Sequence, residues 1–462
     1  MRSVYHASRA AAVVVALTTL AIQASAQALP SEADVRAIIQ PRVDAGRFAG
    51  VAVGLVSRDN QRRVVAYGPA AGVTPFDGNT VFEIGSITKT FTTAILADMV
   101  RKGELALSDP VQKLLPAGAS IPQRNGKQIT LLDLATQSSG LPRMPDNMTA
   151  KDNENPYADY TVPELYAFLT KYTLSRDPGE KYEYSNLGVG LLGHALAMRA
   201  GRSYEQLVTE RVLAPLGMKD TRITLTSDLR ARLAPGHTET GKPISNWDLP
   251  TLAGAGALRS TVNDMLTYIR ANADSTATNL SPTLALAHAE RHAGPSATTT
   301  LGLAWHRTRL PSGHTIVWHN GGTGGYRSFT GYDEASGLGV VVLTSTSNSV
   351  DEIGMHLLDA SVPLPAIPKA RKEIALSIVT LDRYVGVYEV APTFTLTVTR
   401  EGAKLFTQAT NQAKFEIFAE AEDEFFVKVV DAQLSFLHDA SGTVRTLVLH
   451  QNGQNLPAKK QP

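Results

Sequence analysis

The sequence predicts an α+β fold: one antiparallel sheet flanked by helices, with a helical subdomain, followed by a small all-β, barrel-like domain. Three observations carry this. Strand-like segments stand at both ends of the first 360 or so residues, with helical spacing between them. Val362-Pro363-Leu364-Pro365-Ala366-Ile367-Pro368 then interrupts the chain, because closely spaced prolines cannot continue a helix and favour an extended linker. After Asp382 the texture changes to short alternating segments separated by turns. The expected organisation is a leader over 1–26, a first domain over 27–361, a linker over 362–381 and the β domain over 382–462.

The leader comes first along the chain. Arg2 and Arg9 precede an apolar run over 10–22, and Ala24-Ser25-Ala26 fits a small-residue cleavage site. The run is too short to span a bilayer. A signal peptide cleaved after Ala26 is expected, with a periplasmic or secreted product starting at Gln27. The 462 residues include no cysteine, so neither a disulfide nor a cysteine-linked lipid is available and packing alone must stabilise the fold. Hydrophobic residues make up 43% and charged residues 19%, as in ordinary soluble globular domains. A net charge of +1 gives no electrostatic reason to expect nucleic acid or an anionic membrane as partner. No later apolar segment is long enough to cross a membrane.

Residues 50–56 and 62–68 read as two strands joined by a turn at Asp59-Asn60. Residues 91–102 have helical apolar spacing through Ile95, Leu96, Met99 and Val100, and Gly103 stops them. Residues 129–135 read as a buried helix. A further helix over 187–198 takes Asn186 as its N-cap. Another covers 262–271, capped by Ser260-Thr261. The continuous Gly/Val/Leu run over 338–344 is a strand, paired with 329–332. The polar loop over 144–160 reads as solvated surface, with a rim of a substrate cleft as the alternative. In the second domain, strands are expected over 394–399, 415–418, 424–430, 434–437 and 444–450, with turns at Glu401-Gly402 and 439–442.

Chemistry enters with Ser86-Ile87-Thr88-Lys89. Serine and lysine three residues apart on a helix share one face, so the amine can reach the hydroxyl and help a poor nucleophile lose its proton. A helix N-terminus adds N–H donors where an oxyanion would form. A bare Ser-x-x-Lys is common on solvated helix faces, but two further segments follow in order. Tyr184-Ser185-Asn186 forms a Tyr-x-Asn, which by itself reads as a core tyrosine and a helix cap. His319-Asn320-Gly321-Gly322 follows the strand-like Thr315-Ile316-Val317-Trp318, and glycines suit a strand edge against which a substrate lies. The same order of elements, with Lys-Thr-Gly last, occurs in penicillin-recognising enzymes.

These residues resemble the class C β-lactamase and DD-peptidase superfamily over most of 30–360. Framing segments match too: Ile129 through Pro142, Pro215-Leu216-Gly217-Met218-Lys219-Asp220-Thr221 and Gly302-Leu303-Ala304-Trp305. Leu115-Pro116-Ala117-Gly118 and the run through Arg143 are similar to AmpH-type DD-peptidases. The stretch from Leu381 resembles a β-barrel module appended to such hydrolases. The resemblance implies Ser86 as acyl-accepting nucleophile, Lys89 as the group tuning its protonation and Tyr184 as proton shuttle. It implies Asn186 as a contact for the substrate amide, His319 and Gly321 in the third motif, and the N–H groups of Ser86 and Gly322 as the oxyanion hole. It implies no metal or organic cofactor.

The chain departs from the pattern in places. His319 replaces a lysine, and histidine titrates near 6.5, so carboxylate recognition is expected to weaken as pH rises. Gln137 stands where relatives often have histidine. No counterpart of the class A deacylating glutamate is present, so β-lactam turnover would rest on Tyr184. The expected function is an exported serine hydrolase acting on β-lactams or D-Ala-D-Ala-type peptides, with a small-molecule or peptidoglycan-peptide substrate as its partner. An esterase or D-amino-acid amidase on the same scaffold is the first alternative. A non-catalytic β-lactam or muropeptide sensor is the second, and would be favoured by loss of Lys89 or Tyr184, both of which are present.

Overall fold

The computed structural model describes residues 29–68, 75–367, 373–392, 394–410, 412–427, 432–451 and 454–461. The expected signal peptide lies outside them.

An eight-stranded antiparallel sheet organises the first unit. Its order is Arg62–Tyr67, Val51–Val56, Gly339–Thr344, Arg327–Asp333, Thr315–Gly322, His306–Arg309, Thr299–Leu301 and His292–Ala293. The N-terminal hairpin is thus joined to the C-terminal strands, with Val53 opposite Val342 and Phe329 opposite Val342 on the other side. All six residues of Val51–Val56 and of Gly339–Thr344 are buried, because the sheet is covered on both faces. Val51, Val53, Leu55, Val340 and Val342 share a core with Val35 and Ile39 of helix Glu32–Asp44 and Ile353 and Leu357 of helix Asp351–Leu358. Ala52, Val56, Val341 and Leu343 face the larger core with Val262 and Leu266 of helix Val262–Ala273, and Phe91 and Ile95 of helix Thr88–Arg101. The alternation follows from the two-residue period of a strand.

The helical subdomain packs beside this sheet around helix Asn186–Ala200. Gly193 lets it approach closely: a Cβ there would lie 2.9 Å from the Gly254 Cα, on the short helix Ala253–Gly256. The cap of Asn186–Ala200 differs from the expected one. Ser185, not Asn186, caps it, accepting from the Gly188 N–H at 2.8 Å, and Asn186 is the first helical residue with its side chain released for other work. The helix expected over 129–135 is shorter, Leu131–Ala135, because Thr130 and Asp133 form a capping box that starts it.

The second unit is a closed antiparallel barrel of eight strands from Gly386 to Lys460. Tyr388 opposite Lys460 closes it. Tyr384, Tyr388, Phe425, Phe436, Leu434 and Leu447 fill a core separate from those of the first unit. The expected linker is shorter than 362–381. Ile374 donates its N–H to the Ala419 carbonyl, and Leu381, on helix Ile378–Asp382, is buried in the barrel core. The strand expected over 424–430 is Glu424–Val427 among the described residues.

Candidate active site

Ser86 stands on the 3-10 turn Gly85–Ile87, which runs directly into helix Thr88–Arg101. The turn is pressed onto the strand Thr315–Gly322. Gly85 has φ +48, and a Cβ there would lie 2.6 Å from the Gly322 N. A Cβ on Gly321 would lie 2.0 Å from the Ile84 carbonyl oxygen. Only glycine at these points lets the turn that carries Ser86 meet the end of that strand.

Lys89 is fully buried, and its Nζ meets three partners: Ser86 Oγ at 2.9 Å, Asn186 Oδ1 at 2.8 Å and the Ala255 carbonyl at 2.7 Å. None is a carboxylate. Burial, and secondarily the charge of Arg143, push the Lys89 pKa well below its ordinary value. A neutral amine here donates to Asn186 and Ala255 and offers its lone pair to the Ser86 hydroxyl proton.

The Tyr184 ring centroid lies 4.9 Å from Lys89 Nζ and 5.1 Å from the Arg143 guanidinium carbon. Loss of solvent pushes the phenol up to about 12, against the opposing hydrogen bond with Ser86. Tyr184 therefore holds its proton at neutral pH. Gln137 fixes the backbone on either side of it. The Ser185 N–H donates to Gln137 Oε1 and the Glu183 N–H to the Gln137 carbonyl, each at 2.7 Å.

His319 corrects the sequence-based expectation. Its side chain is fully buried beneath the strand, Nδ1 donates to the Asn320 carbonyl, and Nε2 has no partner. Burial pushes its pKa well below 6.5, so it is neutral across the physiological range. A group with neither exposure nor charge does not meet a substrate carboxylate.

The cleft at Ser86 has two lobes. The wide one, about 500 Å³, is polar and is lined by Arg143, Tyr182, Tyr184, Asn320, Arg327 and Asp351 among others. The narrow one, about 30 Å³, is mostly apolar, with Met144, Tyr157, Trp247, Leu249 and Leu252 around Ser86. Met144 and Tyr157 belong to the loop over 144–160, which is therefore a cleft rim as well as solvated surface. Trp247 borders both lobes and packs edge-on against Tyr157. A buried ion pair holds its peptide on both sides: the Trp247 N–H donates to Glu83 Oε1 at 3.0 Å, and Arg259 Nη2 donates to the Trp247 carbonyl at 2.8 Å. A larger groove, about 870 Å³ between Arg202 and Arg222, lies elsewhere, and its Ser203 is engaged as a helix cap.

Sequence reasoning missed Gln137's grip on Tyr184, the Glu83–Arg259 pair, Trp247, Arg143 and Asp351. The one local signal was Glu83, three residues before Ser86. The others reach the site through long-range packing. Among the described residues no cluster of His, Asp or Glu could hold a metal ion, and no helix is long and apolar enough to cross a membrane.

Residues 35–363 match the family model described as beta-lactamase, and residues 370–460 match one described as a domain of unknown function. The D-alanyl-D-alanine-carboxypeptidase/endopeptidase AmpH of Escherichia coli K12 is 32% identical over 303 residues, covering 62% of this chain and 77% of AmpH. A beta-lactamase of Pseudomonas fluorescens is 28% identical over 349 residues, covering 67% and 92%. In fold, the chain is similar to a beta-lactamase/D-alanine carboxypeptidase from Yersinia pestis solved with citrate. The TM-score is 0.61 at 24% identity, over 71% of this chain and 98% of that one. A Ser-x-x-Lys on a helix start, a Tyr-x-Asn beside it and a glycine-rich third motif on the facing strand agree with these matches: the chain belongs to the beta-lactamase family and is a serine hydrolase of the class C β-lactamase/DD-peptidase type, with a β-barrel at its C-terminal end.

Proposed function

We propose that the protein is an exported hydrolase that forms an acyl-enzyme at Ser86 with β-lactams or with peptides ending in D-Ala-D-Ala. The observation that carries the reading is the Lys89 amine, buried without a carboxylate partner, 2.9 Å from Ser86 Oγ. The proton of Ser86 passes to Lys89 as Oγ attacks the carbonyl carbon. The N–H groups of Ser86 and Gly322 receive the oxyanion, at about 3 kcal/mol of transition-state stabilisation each. Tyr184 gives its proton to the departing nitrogen as the C–N bond breaks, and is reprotonated from Lys89. Water then repeats the attack in reverse order of proton transfers and frees Ser86. Asn186 both anchors Lys89 and offers its side-chain N–H₂ to the substrate amide. The activity of the AmpH relative supports the peptide substrate, and that of the Pseudomonas fluorescens relative the β-lactam.

The test is covalent labelling followed by protein mass. Penicillin or a fluorophosphonate should add one adduct to the wild type and none to Ser86→Ala. Undiminished labelling of Ser86→Ala would overturn the mechanism. Export rests on the leader pattern over 1–26, and a mature chain beginning at Gln27 is the expected result of N-terminal sequencing. A second reading, ester or D-amino-acid amide hydrolysis, gains support from the buried, neutral His319, since such substrates need no carboxylate contact. Turnover of an uncharged ester in preference to penicillin would favour it.

A further inference from the structure

We propose that Arg143 supplies the cationic contact for a carboxylate on the leaving portion of the substrate. This rests on the acyl-transfer reading above and assigns the contact that His319 does not make.

Ionisable side chains other than Arg143 also face the wide lobe. His306 lines it but is buried and neutral, its pKa pushed down to about 4 by burial. Arg327 lines it, but its Nη1 is committed to the carbonyls of Thr323 at 2.9 Å and Tyr326 at 3.0 Å. It is also tucked under the strand, so that a Cβ on Gly322 would lie 2.8 Å from that Nη1. Asp351 stands on the same side and accepts from Asn320 Nδ2 at 2.6 Å, so this wall repels an anion once Asp351 is ionised. Arg143 is different. Its side chain is exposed, and among the described residues it has no ion pair and no side-chain hydrogen bond. Its guanidinium carbon lies 5.1 Å from the Tyr184 ring centroid.

The main chain makes this cation a placed one. The Arg143 carbonyl accepts from the N–H of Asn186 at 3.0 Å and from that of Leu187 at 3.2 Å. Those are the first residues of the helix that carries Asn186 against Lys89, so the Cα of Arg143 is tied to the catalytic framework while its five donors stay free. Its charge is felt by the buried Lys89 and by Tyr157, Tyr182 and Tyr184, which line the wide lobe. It does not line the narrow lobe. A planar, bidentate donor is the group that suits a carboxylate.

The test uses the full chain and two peptides that differ only at the end, D-Ala-D-Ala as free acid and as C-terminal amide. The wild type should favour the acid in kcat/KM by at least about tenfold, the size expected of one charged hydrogen bond. Arg143→Gln should remove most of that preference, chiefly through a higher KM for the acid, and Arg143→Lys should restore part of it. Because the readout is a ratio of two substrates on one preparation, partial unfolding cancels. Arg143→Gln with the wild-type ratio would overturn the proposal. So would a wild type without preference, and in that case acyl transfer stands. Absence of acylation of Ser86 by the peptides and by penicillin alike would overturn the acyl-transfer reading itself, and the assignment of Arg143 with it.

Discussion

The backbone N–H of Ser185 donates to Gln137 Oε1 at 2.7 Å, and the N–H of Glu183, two residues earlier, donates to the Gln137 carbonyl at the same distance. Tyr184 hangs between these two bonds. Gln137 adopts φ +59, unusual for a residue with a side chain, and its Nε2 is buried without a partner. Such a conformation persists only where its surroundings hold it. Gln137→Leu keeps the bulk but leaves the Ser185 N–H buried and unpaired, at a cost of about 1–3 kcal/mol. We expect kcat to fall by roughly tenfold as Tyr184 loses its register, with KM changed less. Gln137→Glu, which retains an acceptor, should recover most of the loss. A lower melting temperature with kcat per folded molecule unchanged would reduce Gln137 to a structural role.

Tyr184 keeps its proton in the resting site, so its contribution is expected where a proton is given to the leaving group. Tyr184→Phe removes only the oxygen. The expected loss in kcat for an amide or β-lactam is about a hundredfold or more. An activated ester, whose leaving group departs without protonation, should lose much less. Equal losses on both substrates would place Tyr184 at the Ser86 proton instead.

How much of this was legible in the sequence depends on how local each cause is. Ser86 and Lys89 are one helical turn apart, so their meeting follows from spacing alone. The strand over 338–344 was legible because burial on both faces leaves a continuous apolar run. His306–Arg309 and Thr299–Leu301 were not, since their polar and charged side chains conceal the pairing that makes them strands. The cap of the Asn186 helix was misread by one residue. Serine and asparagine are both good caps, and the choice falls to Ser185 because its Oγ also donates to the Pro142 carbonyl at 2.6 Å. His319 was misread for a deeper reason: its place in the motif is visible in the sequence, but its burial is not.

The barrel has a core of its own, and the cores of the first unit are built from residues before it, with Leu364 packed against them. Arg42 Nη2 also donates to the Pro365 carbonyl at 2.8 Å. A chain ending at Ile367 keeps these contacts and every residue placed at the cleft. It should fold and be acylated by penicillin at a rate within a few-fold of the full chain, as read by protein mass. A folded truncation that is not acylated would show that the barrel supplies part of the site.

The pH dependence of KM separates His319 from Asp351. Burial holds the Asp351 carboxyl up at about 6, against the stabilising hydrogen bond from Asn320, while Glu352 adds to the rise and Arg327 opposes it. Below about pH 6 the group is neutral, and above it a negative charge stands in the wide lobe. The KM for a substrate with a carboxylate should therefore rise as pH climbs through about 6, and the KM for the matching amide should not. Histidine at 319 would give a rise of the same sign if it titrated near 6.5, but its pKa lies well below that, so it changes charge outside this window. Asp351→Asn should flatten the KM profile. His319→Gln should leave the midpoint of the rise where it is, whatever it does to KM itself. A rise that survives Asp351→Asn and disappears in His319→Gln would return the titration to the histidine and contradict its burial.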